Sequence, residues 1–311
     1  MAIMKYFWFG FWGALFWLKK LFRRRRQPEE ERPRRRRAAE EDDREIKDVL
    51  LLRLKAAAEK GDAEAQVKLG DCYVNGDGVL VNYREAAKWF RKAAEQGNAH
   101  GQVNLGICYA NGQGVDQDYP EAVKWFTLAA KQGDCRAEVS LGVCHQNGQG
   151  VPKDNFAAAE WFRKAALQNY PLGQISLASC YQSGRGVPLD EVQAAKYFRL
   201  AAEAGLAAAQ YHLAKCYESG SGVPQDETEA AQWYAQAALQ GLLHAQYKLA
   251  LCYRDGIGLD RDPIEACRWF SAAAERGHKE AALDLAALKK RLSEEEINEA
   301  KSRQATHARF K

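Results

Sequence analysis

Residues 62–97 read DAEAQVKLGDCYVNGDGVLVNYREAAKWFRKAAEQG, and residues 98–133 read NAHGQVNLGICYANGQGVDQDYPEAVKWFTLAAKQG. Laid one above the other, they put Cys72 over Cys108, Gly76 over Gly112 and Trp89-Phe90 over Trp125-Phe126. The 36-residue step continues without drift to Cys144, Cys180, Cys216 and Cys252, and to Gly148, Gly184, Gly220 and Gly256. The aromatic pairs follow at Trp161-Phe162, Tyr197-Phe198, Trp233-Tyr234 and Trp269-Phe270. A fixed period of this size, six times over and without insertion, predicts a solenoid.

Each period predicts two helices. Ala65, Leu69, Cys72 and Tyr73 fall at i, i+4, i+7 and i+8, one face of a first helix; Ala86, Trp89, Phe90, Ala93 and Ala94 do the same for a second. Tiny residues facing bulky aromatics let the helices approach closely. The first helix stops at a glycine able to take a left-handed conformation. The second starts at Asn82, Asp118, Asp154, Asp190, Asp226 or Asp262, and in five of the six Glu or Gln follows three residues later, which predicts a capping box. Second helices end on glycine, except at Asn169, a residue tolerant of positive φ.

The pattern A-x-A-Q-x-x-L-G-x-C-Y-x-x-G-x-G-V, followed by D-x-x-E-A-x-x-W-F-x-K-A-A-x-x-G, resembles the Sel1-like repeat, a relative of the tetratricopeptide repeat. The resemblance implies an all-α, right-handed superhelical solenoid of helix-turn-helix repeats. It covers six repeats over 62–277, flanked by a half repeat at 46–61 and another at 278–292, with 293–311 as a capping helix and tail. Departures are small: Cys stands before the Tyr, His145 replaces one Tyr, and Gly70, Gly106 and Gly142 give way to Ala178, Ala214 and Ala250. Some secreted members staple each repeat with a disulfide; here Cys135 and Cys267 are the only cysteines outside the column, so that scheme cannot operate.

The amino terminus is a different object. Residues 1–22, MAIMKYFWFGFWGALFWLKKLF, carry no charge between Lys5 and Lys19 and hold nine aromatics. They predict an anchor helix, either spanning a bilayer or lying at its interface, because the apolar run sits at the lower limit of spanning length and Trp8, Trp12 and Trp17 favour headgroups. Lys19, Lys20, Arg23, Arg24, Arg25 and Arg26 follow the run, and no small-residue cleavage site does, which argues against a cleaved signal and for a cytoplasmic solenoid. Residues 23–45 read as a charged linker with a second arginine run at Arg34–Arg37, able to attract anionic lipid.

Residues 1–44 hold 13 Lys+Arg against 7 Asp+Glu, leaving 32 against 34 in the remainder. A body without basic excess argues against nucleic-acid binding there. Eight cysteines with no C-x-x-C read as reduced thiols packed like small hydrophobes. No metalloprotease, nucleophile-elbow, Walker or EF-hand motif occurs, and the repeated G-x-G reads as helix termination rather than a phosphate cradle. No cofactor and no metal site is expected.

What remains is surface. By resemblance to tetratricopeptide arrays, the columns through Glu64, Val67, Asp71 and Val74 line the concave face. They pass from apolar residues in the amino-terminal half to Tyr211, Lys215, Glu218, Tyr247, Leu251 and Arg254, the expected partner-binding groove. The opposing reading packs the Val67 column between helices. The function expected is a membrane-tethered, non-catalytic protein-interaction scaffold. The alternatives are an enzyme of unrecognised, hydrolase-like type and a lipid or nucleic-acid binder acting through the arginine runs.

Overall fold

The computed structural model describes residues 49–308, which form fifteen helices and no strand. Helix α1 covers 49–59. The six repeats then supply α2 (Ala63–Asn75) with α3 (Tyr83–Glu95), α4 (Ala99–Asn111) with α5 (Tyr119–Ala130), and α6 (Cys135–Asn147) with α7 (Asn155–Leu167). They continue with α8 (Pro171–Ser183) and α9 (Glu191–Glu203), α10 (Ala207–Ser219) and α11 (Glu227–Leu239), and α12 (Leu243–Asp255) and α13 (Pro263–Glu275). Helix α14 (Lys279–Lys289) is the closing half repeat and α15 (Glu294–Ala308) the cap. The anchor segment, its flanking Lys19, Lys20 and Arg23–Arg26, the whole linker 23–45 and residues 46–48 of the first half repeat lie outside the described residues; among those described, no helix is long and apolar enough to cross a membrane.

The chain forms two compact bodies, divided between Lys92 and Ala93. In the first, Ala58, Ala65 and Leu69 are buried against Leu51, Leu54, Tyr73 and Trp89. The second repeats one motif: Phe126, Phe162, Phe198, Tyr234 and Phe270 are buried among the alanines of their own and neighbouring helices. Burying each such ring is worth about 2–3 kcal/mol. A Cβ at Gly106 would come within 2.6 Å of the Phe126 ring, which is why the early repeats use glycine there; later repeats seat their aromatics over Ala178, Ala214 and Ala250, themselves fully buried.

Loops fix the stacking. Every first helix of a complete repeat ends on a glycine with positive φ, and its cap N–H bonds to the carbonyl of the column cysteine. Two residues on, Gly222 (φ 74°) abuts the start of the preceding second helix so tightly that a Cβ would overlap the Glu191 carbonyl. Asn169 adopts φ 58°, the left-handed conformation its position requires.

The capping boxes are half made. Asp118, Asp154, Asp190, Asp226 and Asp262 each accept the N–H three residues on, as the sequence predicts. Their own N–H groups, however, bond to the carbonyl of the first helix's Tyr column, as Asp118 does to Tyr109 at 3.0 Å. The acidic side chains are thereby left to pair elsewhere, Glu121 with Lys124 at 3.0 Å. The full reciprocal box occurs at Ser293, where the Ser293 N–H donates to Glu296 at 2.8 Å. Helix α15 folds back onto α13: Ala300 is buried and Arg303 reaches Asp262 and Glu265.

One buried polar column runs through the first helices. Gln66, Gln102, Gln210 and Gln246 each donate from Nε2 to the carbonyl of an alanine eight residues back, at 3.0 to 3.4 Å. Gln102 and Gln210 also accept from Gln132 and Gln240, both at 2.8 Å. The column position in α6 is Glu138, which keeps the second bond, accepting from Gln168 at 2.8 Å, but as a carboxylate has no proton for the first. Burial pushes the Glu138 carboxyl above its usual range, against the pull of Gln168 and Lys164.

Two predictions follow from these contacts. Because Glu138 holds its proton more tightly folded than unfolded, its protonated form supports the fold at low pH, and that support fades as pH rises from the ordinary carboxylate range through the raised folded value. Glu138→Gln should therefore stabilise by about 1 kcal/mol near neutral pH and by little near about pH 4, measured as melting temperature against pH. Gly222→Ala should cost about 3 kcal/mol or more, since left-handed strain and backbone overlap combine. At Gly205 (φ 89°), where a Cβ would meet nothing within 4 Å, Ala should cost about 1–2 kcal/mol. Denaturant melts of the two variants check the difference.

Candidate functional site

The columns expected to face solvent divide cleanly. Val67 and Val103 are buried, whereas Val139 and Ile175 are half-buried, so the amino-terminal part of that column serves as packing. The next column is open: Ile107, Val143, Ser179 and Lys215 are exposed, with Asp71 and Leu251 half-buried at its ends. Of the six expected groove residues, Lys215 and Glu218 are exposed, and Tyr211, Tyr247, Leu251 and Arg254 are half-buried.

Both tyrosines lean on core rings. Tyr211 lies 5.7 Å from Tyr234 between ring centroids, and Tyr247 lies 5.9 Å from Phe270 while stacking on His278 at 4.4 Å. His244 joins them, 6.3 Å from Tyr211 and 5.5 Å from His278. Burial raises the Tyr211 hydroxyl; burial and then the Asp284 hydrogen bond raise that of Tyr247. Both stay protonated donors at neutral pH.

Two carboxylates organise the face, each bridging a tyrosine hydroxyl and a cation. Glu218 on α10 accepts from the Tyr234 hydroxyl at 2.6 Å and from Lys248 on α12 at 2.8 Å. Burial acts to raise its carboxyl, but the bonds from Lys248 and Tyr234 outweigh it and hold Glu218 below its ordinary range. Asp284 on α14 accepts from the Tyr247 hydroxyl at 3.0 Å and meets Arg254 at 3.3 Å. Arg254 is also held by Asp255 through bonds of 2.8 and 2.7 Å, which raise the guanidinium and lower the Asp255 carboxyl. The result is a fixed array of rings and paired charges along α10, α12 and α14, with Lys215 projecting beside it.

Tyr234, Lys248, His244, His278 and Asp284 were not anticipated from sequence. The signal was present in the spacing, since Glu218 with Lys248 and Arg254 with Asp284 are opposite charges 30 residues apart, the offset that faces one first helix to the next. Among the described residues, no group of three His, Cys, Asp or Glu side chains could hold a metal ion.

Two of the column cysteines, Cys216 and Cys252, lie on helices of this face and are buried. All eight cysteines are free; five column members are buried, while Cys72 and Cys135 are half-buried. Burial pushes Cys108, Cys144 and Cys252 up to about 11.

The Sel1 repeat matches six consecutive segments, 63–98, 99–134, 135–170, 171–206, 207–242 and 243–278. The chain belongs to the Sel1 repeat family. Among solved structures, a protective antigen of uropathogenic Escherichia coli strains, c5321, is 37% identical with a TM-score of 0.71. That alignment covers 80% of this chain and 54% of the antigen, so the chain spans about half the antigen's length. A Sel1 repeat protein from Oxalobacter formigenes is 35% identical with a TM-score of 0.66, covering 70% of this chain and 89% of that one. A comparison with curated proteins finds no match. The Sel1 phase agrees with the repeat read from sequence to within one residue at each boundary.

In the folded protein a thiol reagent at about pH 8 should modify Cys72 and Cys135 first, while the raised, buried Sel1-column thiols wait for denaturant. Mass spectrometry of timed samples checks this, and early modification of Cys108 or Cys144 would contradict the helical register.

Proposed function

We propose that this Sel1 repeat chain is a non-catalytic scaffold that binds a protein partner on the first-helix face of α10, α12 and α14, tethered to a membrane through residues 1–22 with the solenoid on the cytoplasmic side. The observation that carries the partner face is the array in which Glu218 holds Tyr234 and Lys248 and Asp284 holds Tyr247 and Arg254, with Tyr211 and Lys215 beside it. Aromatic and arginine side chains supply most hot-spot energy, and groups already ordered lose little entropy on docking. The tether is supported by the apolar run Tyr6–Leu18, and its orientation by Lys19, Lys20 and Arg23–Arg26.

The partner face is tested by capture of a co-purifying protein on immobilised full-length chain. Lys215→Glu combined with Arg254→Ala should weaken capture by about tenfold or more, with helicity and melting temperature near wild type. Tyr247→Ala should instead lower the melting temperature by several degrees, because it strips the stack on Phe270 and His278. Undiminished capture by the charge variant would remove the face from the proposal.

A further inference from the structure

The first body exposes an apolar end. Val49, Leu50 and Leu52 are exposed on α1, Leu80 and Val81 on the loop that leads into α3, and Tyr83 at the start of α3; Leu80 is 90% exposed. Loop and helix adjoin, for a Cβ at Gly78 would lie 3.2 Å from Leu51, and between them opens an apolar groove of about 510 Å³ lined by Leu50, Leu51, Leu54 and Cys72. The loop reads Val79-Leu80-Val81-Asn82-Tyr83-Arg84, whereas the matching places of Leu80 and Val81 are Asp116-Gln117, Pro152-Lys153 and Pro188-Leu189 in the next three repeats, so two adjacent aliphatic residues stand there in the first alone. Helix α1 likewise carries Leu50, Leu51 and Leu52 where α3 has Ala86, Ala87 and Lys88. Basic residues neighbour the patch in sequence: Arg53, Arg84 and Lys88 are exposed, with Lys88 paired to Glu85 at 2.6 Å, while one carboxylate, Asp77, lines the groove. Residues 49–92 hold eight Lys+Arg against six Asp+Glu, the reverse of the balance over 45–311.

We infer that this end rests on the surface of an anionic phospholipid bilayer, with Leu80 and its neighbours inserted among the headgroups. The inference deepens the tether reading and rests on it. Three observations favour lipid as the occupant. An aliphatic loop tip followed by tyrosine and arginine matches the chemistry of an interface, where apolar side chains enter and basic ones meet phosphate. The patch lies in the body that residues 1–48 enter, at Val49 on the patch itself. Thirty residues join Leu18 to Val49, so an inserted apolar run would keep this end within tethered reach of the membrane. A single weak apolar contact binds membranes marginally, and a second signal on the same chain makes attachment stable.

The test uses full-length chain on vesicles of phosphatidylcholine and phosphatidylserine. An environment-sensitive fluorophore is attached at Leu52→Cys or Leu80→Cys, with the unsubstituted chain giving the background from Cys72 and Cys135 and Leu283→Cys on α14 as a comparison site. Nitroxide carried on the lipid should quench the probes at 52 and 80 about twofold or more, and more than the probe at 283. If the chain sediments with vesicles while both probes stay open to aqueous iodide and unquenched by lipid, the inference is overturned and the tether stands. Shielding from iodide without lipid quenching means a protein surface covers the patch, and also overturns it. Failure to sediment at all removes the tether and this inference together.

Discussion

The structure depends on one contact, an aromatic ring closed over a residue too small to obstruct it. Phe126 over Gly106 and Phe198 over Ala178 bring first and second helices into van der Waals contact, and the invariant alanines on either side let the next repeat do the same. Because each ring serves its own repeat and an immediate neighbour, stability is close to a sum of local terms. The loops enforce the register: a glycine such as Gly222 has no room for a side chain, so a repeat seats on its predecessor in one way.

Most of this was legible from period alone. Burial of the cysteine column, positive φ at the helix-ending glycines and at Asn169, and the backbone bonds to Asp118 and its equivalents follow from residue type at a fixed step. What the period hid was competition. The Asp118 N–H is offered both Glu121 and the Tyr109 carbonyl, and takes the carbonyl because the loop geometry delivers it. The Val67 column reads as one stripe, yet Val67 and Val103 are buried between helices while Val139, Ile175, Tyr211 and Tyr247 stay half-buried. The charge pairs on the candidate face were missed because they lie 30 residues apart, off the step that organised the reading.

Polar residues at the open positions of the later first helices are what give the face its chemistry. Where α4 and α6 present Ile107, Ala110, Val143 and Gln146, the later first helices present Lys215, Glu218 and Arg254, and Glu218 and Asp284 each hold a tyrosine and a cation together. The scaffold supplies rigid spacing and the departures from its consensus supply recognition. The first body departs in the other direction, toward aliphatic side chains at α1 and at the Leu80 loop.

The central claim is that one repeat is the unit of both packing and register. Deleting residues 171–206, one complete Sel1 match, rejoins Tyr170 to Ala207 and recreates the same neighbours, whereas deleting 175–206 leaves the following helix out of step. Circular dichroism with thermal melting should show the first variant helical and cooperative with a lowered midpoint, and the second with much of its helix lost. Equal behaviour of the two deletions would contradict the account.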